Sequence, residues 1–356
     1  MSDLPGPVEI VGAGLIGTSL GLALRRAGVK VLLSDGHADN LRTATGMGAG
    51  FPVTSGDRCP VVVVAVPPEH LGAVIRDALE RTADWGAVVT DVGSVKTGPL
   101  AELDGARGLE RYVGGHPMAG SERSGPLAAS AALFDGRPWA VTPHDRADPA
   151  AVTVVEELAR LAGAVPVRLS PMEHDAAVAR TSHVPHLLAA LAAARLADAP
   201  ADHLALSGQG VRDVTRVAGG DPVLYAQIVS ANAEQVHALL TQVRDQLDEV
   251  ITAVGDGDRP SLEAVLGRGL AGTRAIPGKH GGPARPTTSV FVSIPDSPGA
   301  LARLFADADA SGVNIEDLRI DHDPGRATGL LELLVDEERA EHLLASLEAR
   351  DWVTHR

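Results

Sequence analysis

His116 stands in Gly114-Gly115-His116-Pro117-Met118-Ala119-Gly120-Ser121-Glu122-Arg123-Ser124-Gly125, a glycine-bracketed stretch that reads as a turn holding one histidine. An imidazole titrates near neutral pH, so it can accept a proton and release it later. A second polar loop, Asp91-Val92-Gly93-Ser94-Val95-Lys96, follows an apolar run and offers a hydroxyl at Ser94. Well upstream, Val11-Gly12-Ala13-Gly14-Leu15-Ile16-Gly17 closes one apolar run and opens a helical one. A histidine beside a hydride acceptor is the pairing that oxidation of an alcohol carbon requires.

The glycine pattern fits a dinucleotide. Gly12 permits a tight turn, Gly14 lets the backbone approach a pyrophosphate, and Gly17 allows helix to pack closely on strand. The helix start at Leu15 and Ile16 then turns free amides and a favourable dipole toward the phosphates. Asp35 closes the second apolar run, where a carboxylate binds ribose hydroxyls. Gly36 and His37 follow it, with no arginine to receive a 2′-phosphate. These residues favour NAD over NADP.

The elements that must position these groups follow from periodicity. Val8–Val11, Val29–Ser34, Val61–Val66, Ala87–Asp91, Trp139–Thr142 and Val165–Leu169 read as strands, with Leu15–Ala27 a helix. Strands separated by helices predict an α/β, Rossmann-type, doubly wound parallel sheet. Its carboxyl edge would carry the Asp91–Lys96 loop, and the strand-like Tyr112-Val113 would deliver His116 to the same edge. Ser94 also suits the cap of a helix starting near Val95. Lys96 reads as a solvated helix residue, with a cofactor or substrate contact as the alternative.

The pattern changes after Ser170. Residues 171–276 read as an all-helical domain, with helical spacing in Ala176–Leu196 and Val223–Val254 and more apolar surface than a lone bundle needs. A homodimer is expected. This domain offers Ser182-His183-Val184-Pro185-His186 and, in 208–216, Arg212 and Arg216 four residues apart on one helix face. Two guanidiniums on one face suit a substrate bearing carboxylates. His183 and His186 lack the carboxylate spacing of a metal site, so no metal is assigned. Residues 277–287 read as a Pro/Gly linker, and 288–356 as a small βαββαβ domain. The remaining span, 1–170, is the nucleotide-binding domain.

Composition narrows the function classes. The 356 residues carry a formal charge of -15, which argues against nucleic-acid and anionic-membrane partners. The single cysteine, Cys59, excludes an internal disulfide and fits a reducing cytoplasm. Neither a signal peptide nor a run long enough to span a bilayer is visible. Aromatic residues are only 3%, so the core must be built from Ala, Val and Leu.

Gly12–Gly17, Asp91–Lys96, Gly114–Gly125, Ser182–His186 and Arg212–Tyr225 occur in the order seen in the prephenate/arogenate dehydrogenase family, which the chain resembles over most of residues 8–235. Pro295–Leu301 and Gly312–Ile315 resemble an ACT regulatory domain. The resemblance implies an NAD-dependent oxidative decarboxylation of a small-molecule substrate, giving 4-hydroxyphenylpyruvate from prephenate or tyrosine from arogenate. A 4-amino analogue of prephenate is a third candidate. It implies that His116 takes the hydroxyl proton, that Ser94 contacts His116 or that hydroxyl, and that Arg216 holds a carboxylate. Arg212, His183, His186 and Tyr225 would line the pocket, and an amino-acid effector could sit on the ACT-like domain. Tyr225 stands where the family often has tryptophan and Arg212 where lysine is common, which bears on substrate choice. A 3-hydroxy acid dehydrogenase would rely on a lysine in the helical domain and leave the His116 loop unexplained. A non-enzymatic amino-acid sensor would leave both polar loops unexplained.

Overall fold

The protein is described by a computed structural model covering residues 4, 6–120, 123–276, 286–322 and 328–356. Most of the expected linker, 277–287, lies outside the described residues, as do Ser121 and Glu122. Two compact units are present, Met1–Asp245 and Gln246–Arg356.

The first unit contains an eight-stranded sheet. Its strands in chain order are β1 (Val8–Val11), β2 (Val31–Ser34), β3 (Phe51–Pro52), β4 (Val61–Val64), β5 (Val88–Asp91), β6 (Tyr112–Pro117), β7 (Pro138–Thr142) and β8 (Val165–Arg168). The spatial order is β3-β2-β1-β4-β5-β6-β7-β8. The chain starts at β1, winds outward to β3, then returns to β4 on the other side of β1, which puts the topological switch point between β1 and β4. Val61–Val64 is wholly buried, as befits a central parallel strand covered on both faces. Apolar residues of the helices at Leu15–Arg26 and Pro149–Leu161 pack with β1 and β7 in one core, and the helix at Leu71–Arg81 packs with β4 and β5 in another.

Two features depart from the sequence-based expectation. The sheet is not wholly parallel, because β6 and β7 run antiparallel, with His116 opposite Ala140 and Gly115 opposite Val141. His116 therefore lies within a strand rather than in a turn. Gly114 and Gly115 suggested the turn, but their glycines serve close approach. A Cβ on Gly115 would lie 2.7 Å from the Asp91 carbonyl oxygen and 3.0 Å from the Trp139 indole nitrogen. Only glycine lets β6 lie so close to the end of β5.

The region after Ser170 is helical. Ser170 opens it with a capping box, accepting from the Glu173 N–H while the Glu173 carboxylate accepts from the Ser170 N–H. The helix Pro171–Val178 runs into a π-helical turn at Ala179–His183 and then the helix Val184–Ala194. Helices follow at Gln209–Arg216, Pro222–Ala231, Ala233–Asp256 and Arg259–Arg274. The break at Asn232 divides what periodicity alone presents as one long helix.

The second unit holds an antiparallel sheet of β9 (Thr287–Pro295), β10 (Ile315–His322), β11 (Thr328–Asp336) and β12 (Val353–His355), ordered β10-β11-β9-β12. Helices at Ala300–Asp309 and Ala340–Glu348 contribute Leu304, Leu343 and Leu347 to its core. The βαββαβ order with this strand arrangement is the ACT-like fold expected of the tail.

Because Gly115 has no room for a side chain, Gly115→Ala is expected to destabilise the protein by about 1–3 kcal/mol, the usual cost of overpacking. The check is the urea midpoint of the variant against wild type. An unchanged midpoint would mean that the β5–β6 approach is not a constraint.

Candidate active site

The dinucleotide cradle forms at the carboxyl ends of β1 and β2. Gly12 takes φ +106°, and a Cβ there would collide with the Ala65 carbonyl beyond β4. A Cβ on Gly17 would strike the Gly12 carbonyl, so the helix start and the turn fit only with both glycines. Beside Gly14, in contrast, there is open space. Gly14 caps the helix without a side chain, leaving the amides of Leu15 and Ile16 directed outward. The Asp35 carboxylate accepts from the Ala13 N–H at 2.6 Å and the His37 N–H at 2.6 Å, which locks it beside the glycine turn. Each oxygen retains a lone pair for a ribose hydroxyl. The residues present thus fit a dinucleotide: an open backbone surface for the pyrophosphate and a fixed carboxylate for the ribose.

At the end of β5, Asp91 is fully buried and ion-paired with Lys96, whose side chain is 1% exposed. The same carboxylate accepts from the Tyr112 hydroxyl at 3.0 Å, the Gly93 N–H at 2.9 Å and the Gly115 N–H at 3.2 Å. Lys96 Nζ also donates to the Gly115 carbonyl at 2.8 Å. One buried pair therefore joins the loop after β5 to the strand that carries His116. Burial, with Asp91 alongside, pushes the Tyr112 hydroxyl pKa well above its ordinary value, so it remains a donor.

His116 is half-buried. Its Nδ1 lies 2.9 Å from His174 Nε2, and His174 Nδ1 lies 2.8 Å from Asp175 Oδ1. Asp175 accepts in addition from the backbone N–H groups of Lys96 and Thr97, both at 2.9 Å, and from the Thr97 hydroxyl. Burial pulls the Asp175 carboxyl upward, but hydrogen bonds from His174, Thr97 and Lys96 outweigh it and leave the group below its usual range. Burial, reinforced by His174, Lys96 and His183 nearby, holds His116 well below the usual histidine range. At neutral pH His116 is thus an uncharged imidazole, able to accept a proton.

His183 lies in the π-helical turn, a feature frequent at functional sites. Asn232 Nδ2 is 3.2 Å from His183 Nδ1 and donates to the Asp175 carbonyl at 2.8 Å. With Nδ1 accepting, the His183 proton sits on Nε2. Burial brings its pKa down from the usual 6.5 to about 4. His186 stacks on Tyr225 with ring centroids 3.4 Å apart and planes within 5°, and its Nδ1 is buried without a hydrogen-bond partner among the described residues. Arg212 and Arg216 are exposed on the helix Gln209–Arg216, which packs against the helix carrying His186.

Residues 20–168 match the family profile described as prephenate dehydrogenase, nucleotide-binding domain. Residues 170–268 match its dimerization domain. The chain is 38% identical to a protein named probable prephenate dehydrogenase NovF from Streptomyces niveus, covering 96% of this chain and 98% of that one. The chain belongs to the prephenate dehydrogenase family. It is also 26% identical to the prephenate dehydrogenase of Bacillus subtilis, covering 97% of each chain. The crystal structure of prephenate dehydrogenase from A. aeolicus in complex with hydroxyphenyl propionate and NAD+ is similar with a TM-score of 0.67 at 27% identity, covering 75% of this chain and 96% of that one.

Within this family frame, sequence reasoning placed His116 at the sheet edge but misread two neighbours. Lys96 is a buried ion-pair partner, because Asp91 supplies a countercharge that desolvates with it. Ser94 does not cap a helix, since the helix begins at Thr97 and its first amides go to Asp175 instead. Ser94 is half-buried on the loop, and no hydrogen bond joins it to His116 among the described residues. Sequence reasoning named Asp91 and Tyr112 only as parts of the loop and the strand, without a role of their own, and it missed His174, Asp175 and Asn232. The adjacent pair His174-Asp175, one turn after a capping box, was the signal that could have found the middle of this network.

The lowered histidine pKa values make stability depend on pH. In the unfolded chain His183 regains a pKa near 6.5, whereas folded it stays uncharged down to about 4. Between those values the unfolded state binds more protons, so stability is lost as pH falls through this window. His116 and His186, also lowered in the fold, act with the same sign. The urea midpoint is expected to drop between about pH 7 and pH 5. A midpoint constant or rising over that interval would contradict the assignment of these histidines as neutral in the fold.

Proposed function

We propose that this chain catalyses the NAD-dependent oxidative decarboxylation of prephenate to 4-hydroxyphenylpyruvate. The observation that carries this reading is a neutral His116 at the sheet edge that also bears the dinucleotide cradle, with Nδ1 engaged by His174 and Nε2 without a hydrogen bond among the described residues. Bound NAD supplies the hydride acceptor. His116 Nε2 takes the proton of the ring hydroxyl as its carbon gives up hydride. The ring carboxylate then departs as carbon dioxide, its bonding electrons completing the aromatic ring and placing charge on the ring oxygen, which takes the proton back from His116 to give the phenol. Aromatisation drives this step, so the protein has mainly to orient the ring and polarise one hydroxyl.

Ser94 is assigned to the same hydroxyl. Arg216, with Arg212 four residues before it on an exposed helix, is assigned to the substrate carboxylates. His183, His186 and the stacked Tyr225 line the remaining wall. Gly12, Gly14, Leu15, Ile16, Gly17 and Asp35 hold the cofactor, and the Asp35 charge disfavours a 2′-phosphate. The functional division is taken as a nucleotide-binding domain at 1–170, a helical domain at 171–276, and an ACT-like domain at 288–356 after a linker at 277–287. The enzyme is taken to be a cytoplasmic homodimer. Exposed Val214 and Val223, and separately Leu247, Ile251 and Val254, are apolar surface that a second copy would cover. The turn at 296–299 is the place for an amino-acid effector.

The test mixes full-length protein, NAD and prephenate and follows NADH absorbance. Turnover is expected, with NADP less efficient than NAD in kcat/KM. His116→Asn should lower kcat about a hundredfold or more while NAD binding stays nearly intact. A variant keeping more than half of wild-type turnover would refute His116 as the proton acceptor. Arogenate run in parallel decides the side chain of the substrate: faster turnover of arogenate would reassign the substrate within the same chemistry.

A further inference from the structure

We propose that His174 and Asp175 are positioning residues that fix the tautomer of His116 and draw charge away from it once it is protonated. This inference rests on the reading of His116 as proton acceptor. Protons can be counted along the chain of hydrogen bonds from Asp175 through His174 to His116. The Asp175 carboxylate can only accept, so the proton between it and His174 belongs to His174 Nδ1. A His174 ring with one proton then presents a lone pair at Nε2. His116 Nδ1, 2.9 Å away, must donate to it. That leaves His116 Nε2 bare, which is the form that can take a proton from substrate. The opposite tautomer would offer the substrate hydroxyl an N–H and could not act as a base.

The surroundings support this order. His174 and Asp175 are each 1% exposed, so solvent does not compete for their hydrogen bonds. Asp175 is held by two backbone N–H groups and a hydroxyl, which fixes its oxygens independently of His174. Among the described residues, the charged or titratable groups that act on His116 besides His174 are Lys96 and His183. Lys96 is paired with Asp91, and His183 carries its proton on Nε2 because Asn232 donates to Nδ1. Neither competes for His116 Nδ1.

When His116 Nε2 gains the substrate proton, its Nδ1–H becomes a stronger donor to His174 Nε2. The Nδ1 proton can cross to His174, leaving a neutral His116 and an imidazolium ion-paired with Asp175. One proton enters at Nε2 and one leaves at Nδ1, so charge moves inward toward a fixed carboxylate and no proton is lost to bulk water.

Three variants of the full-length protein test this with the NADH assay. His174→Phe fills the space without an acceptor, whereas His174→Gln retains an oxygen able to accept from His116 Nδ1–H. His174→Phe should lower kcat by about a hundredfold, within the range seen for general-base contributions, with KM for prephenate and NAD within about threefold. His174→Gln should recover at least about tenfold of that loss. Loss of the acceptor weakens His116 as a base, so the acidic limb of the kcat profile should move to lower pH in the Phe variant. A limb that moves to higher pH would show His174 acting as a repelling cation and would overturn the proposal. So would equal losses in the Phe and Gln variants, or a Phe variant within about threefold of wild type while His116→Asn is inactive. That last outcome would leave His116 as base intact and remove only the positioning pair. Should His174→Phe fail to fold, Asp175→Asn takes its place. A drop in kcat of about tenfold or more at constant KM supports the proposal, and a kcat within about threefold of wild type overturns it.

Discussion

Four hydrogen bonds converge on the carboxylate of Asp175, which is almost wholly removed from solvent. Two come from the backbone at Lys96 and Thr97, where a short helix starts, one from the Thr97 hydroxyl and one from His174. A buried carboxylate is costly unless such donors surround it, and bonds to a charged acceptor contribute about 1.5–3 kcal/mol each. The group thus stitches the helical segment after Ser170 to the loop after β5. The two halves of the candidate active site come from residues far apart in sequence, and this carboxylate is where they meet.

A second buried charge, Asp91, does the equivalent work within the sheet. It takes Lys96, Tyr112 and the Gly115 N–H, and so fixes β6 against the end of β5. Lys96 links the two centres, its backbone N–H on Asp175 and its ammonium on Asp91. Removing one partner of such a pair leaves an uncompensated charge and costs about 3–5 kcal/mol, so the network is brittle to single substitutions. That rigidity suits a site whose chemistry needs one histidine held in one orientation and one tautomer.

Local features of this fold were legible in the sequence. The glycine turn with Asp35, the strands at Val8–Val11 and Val61–Val64, the helical segment after Ser170 and the βαββαβ tail each rest on periodicity or on a compact motif. His116 was legible as a chemical residue, but its glycines signalled a turn when they in fact admit the Asp91 carbonyl. The short β3 has too few residues to register as a strand. Ser94 was misread because a nearby hydroxyl is the usual cap, and the true donors' partner lies 78 residues away in Asp175. His174 stands 58 residues from His116, a relation that only the folded chain reveals. Burial of Lys96 was likewise invisible, since it depends on an aspartate and a carbonyl brought together by β5 and β6.

The central claim is that the fold delivers His116 with a proton on Nδ1 and a bare Nε2. Nitrogen-15 NMR of full-length protein labelled at histidine reads this directly, with the His116 signals assigned by their absence in His116→Asn. At neutral pH the account predicts a protonated Nδ1 and an unprotonated Nε2 for His116. A proton on Nε2, alone or together with one on Nδ1, would contradict it.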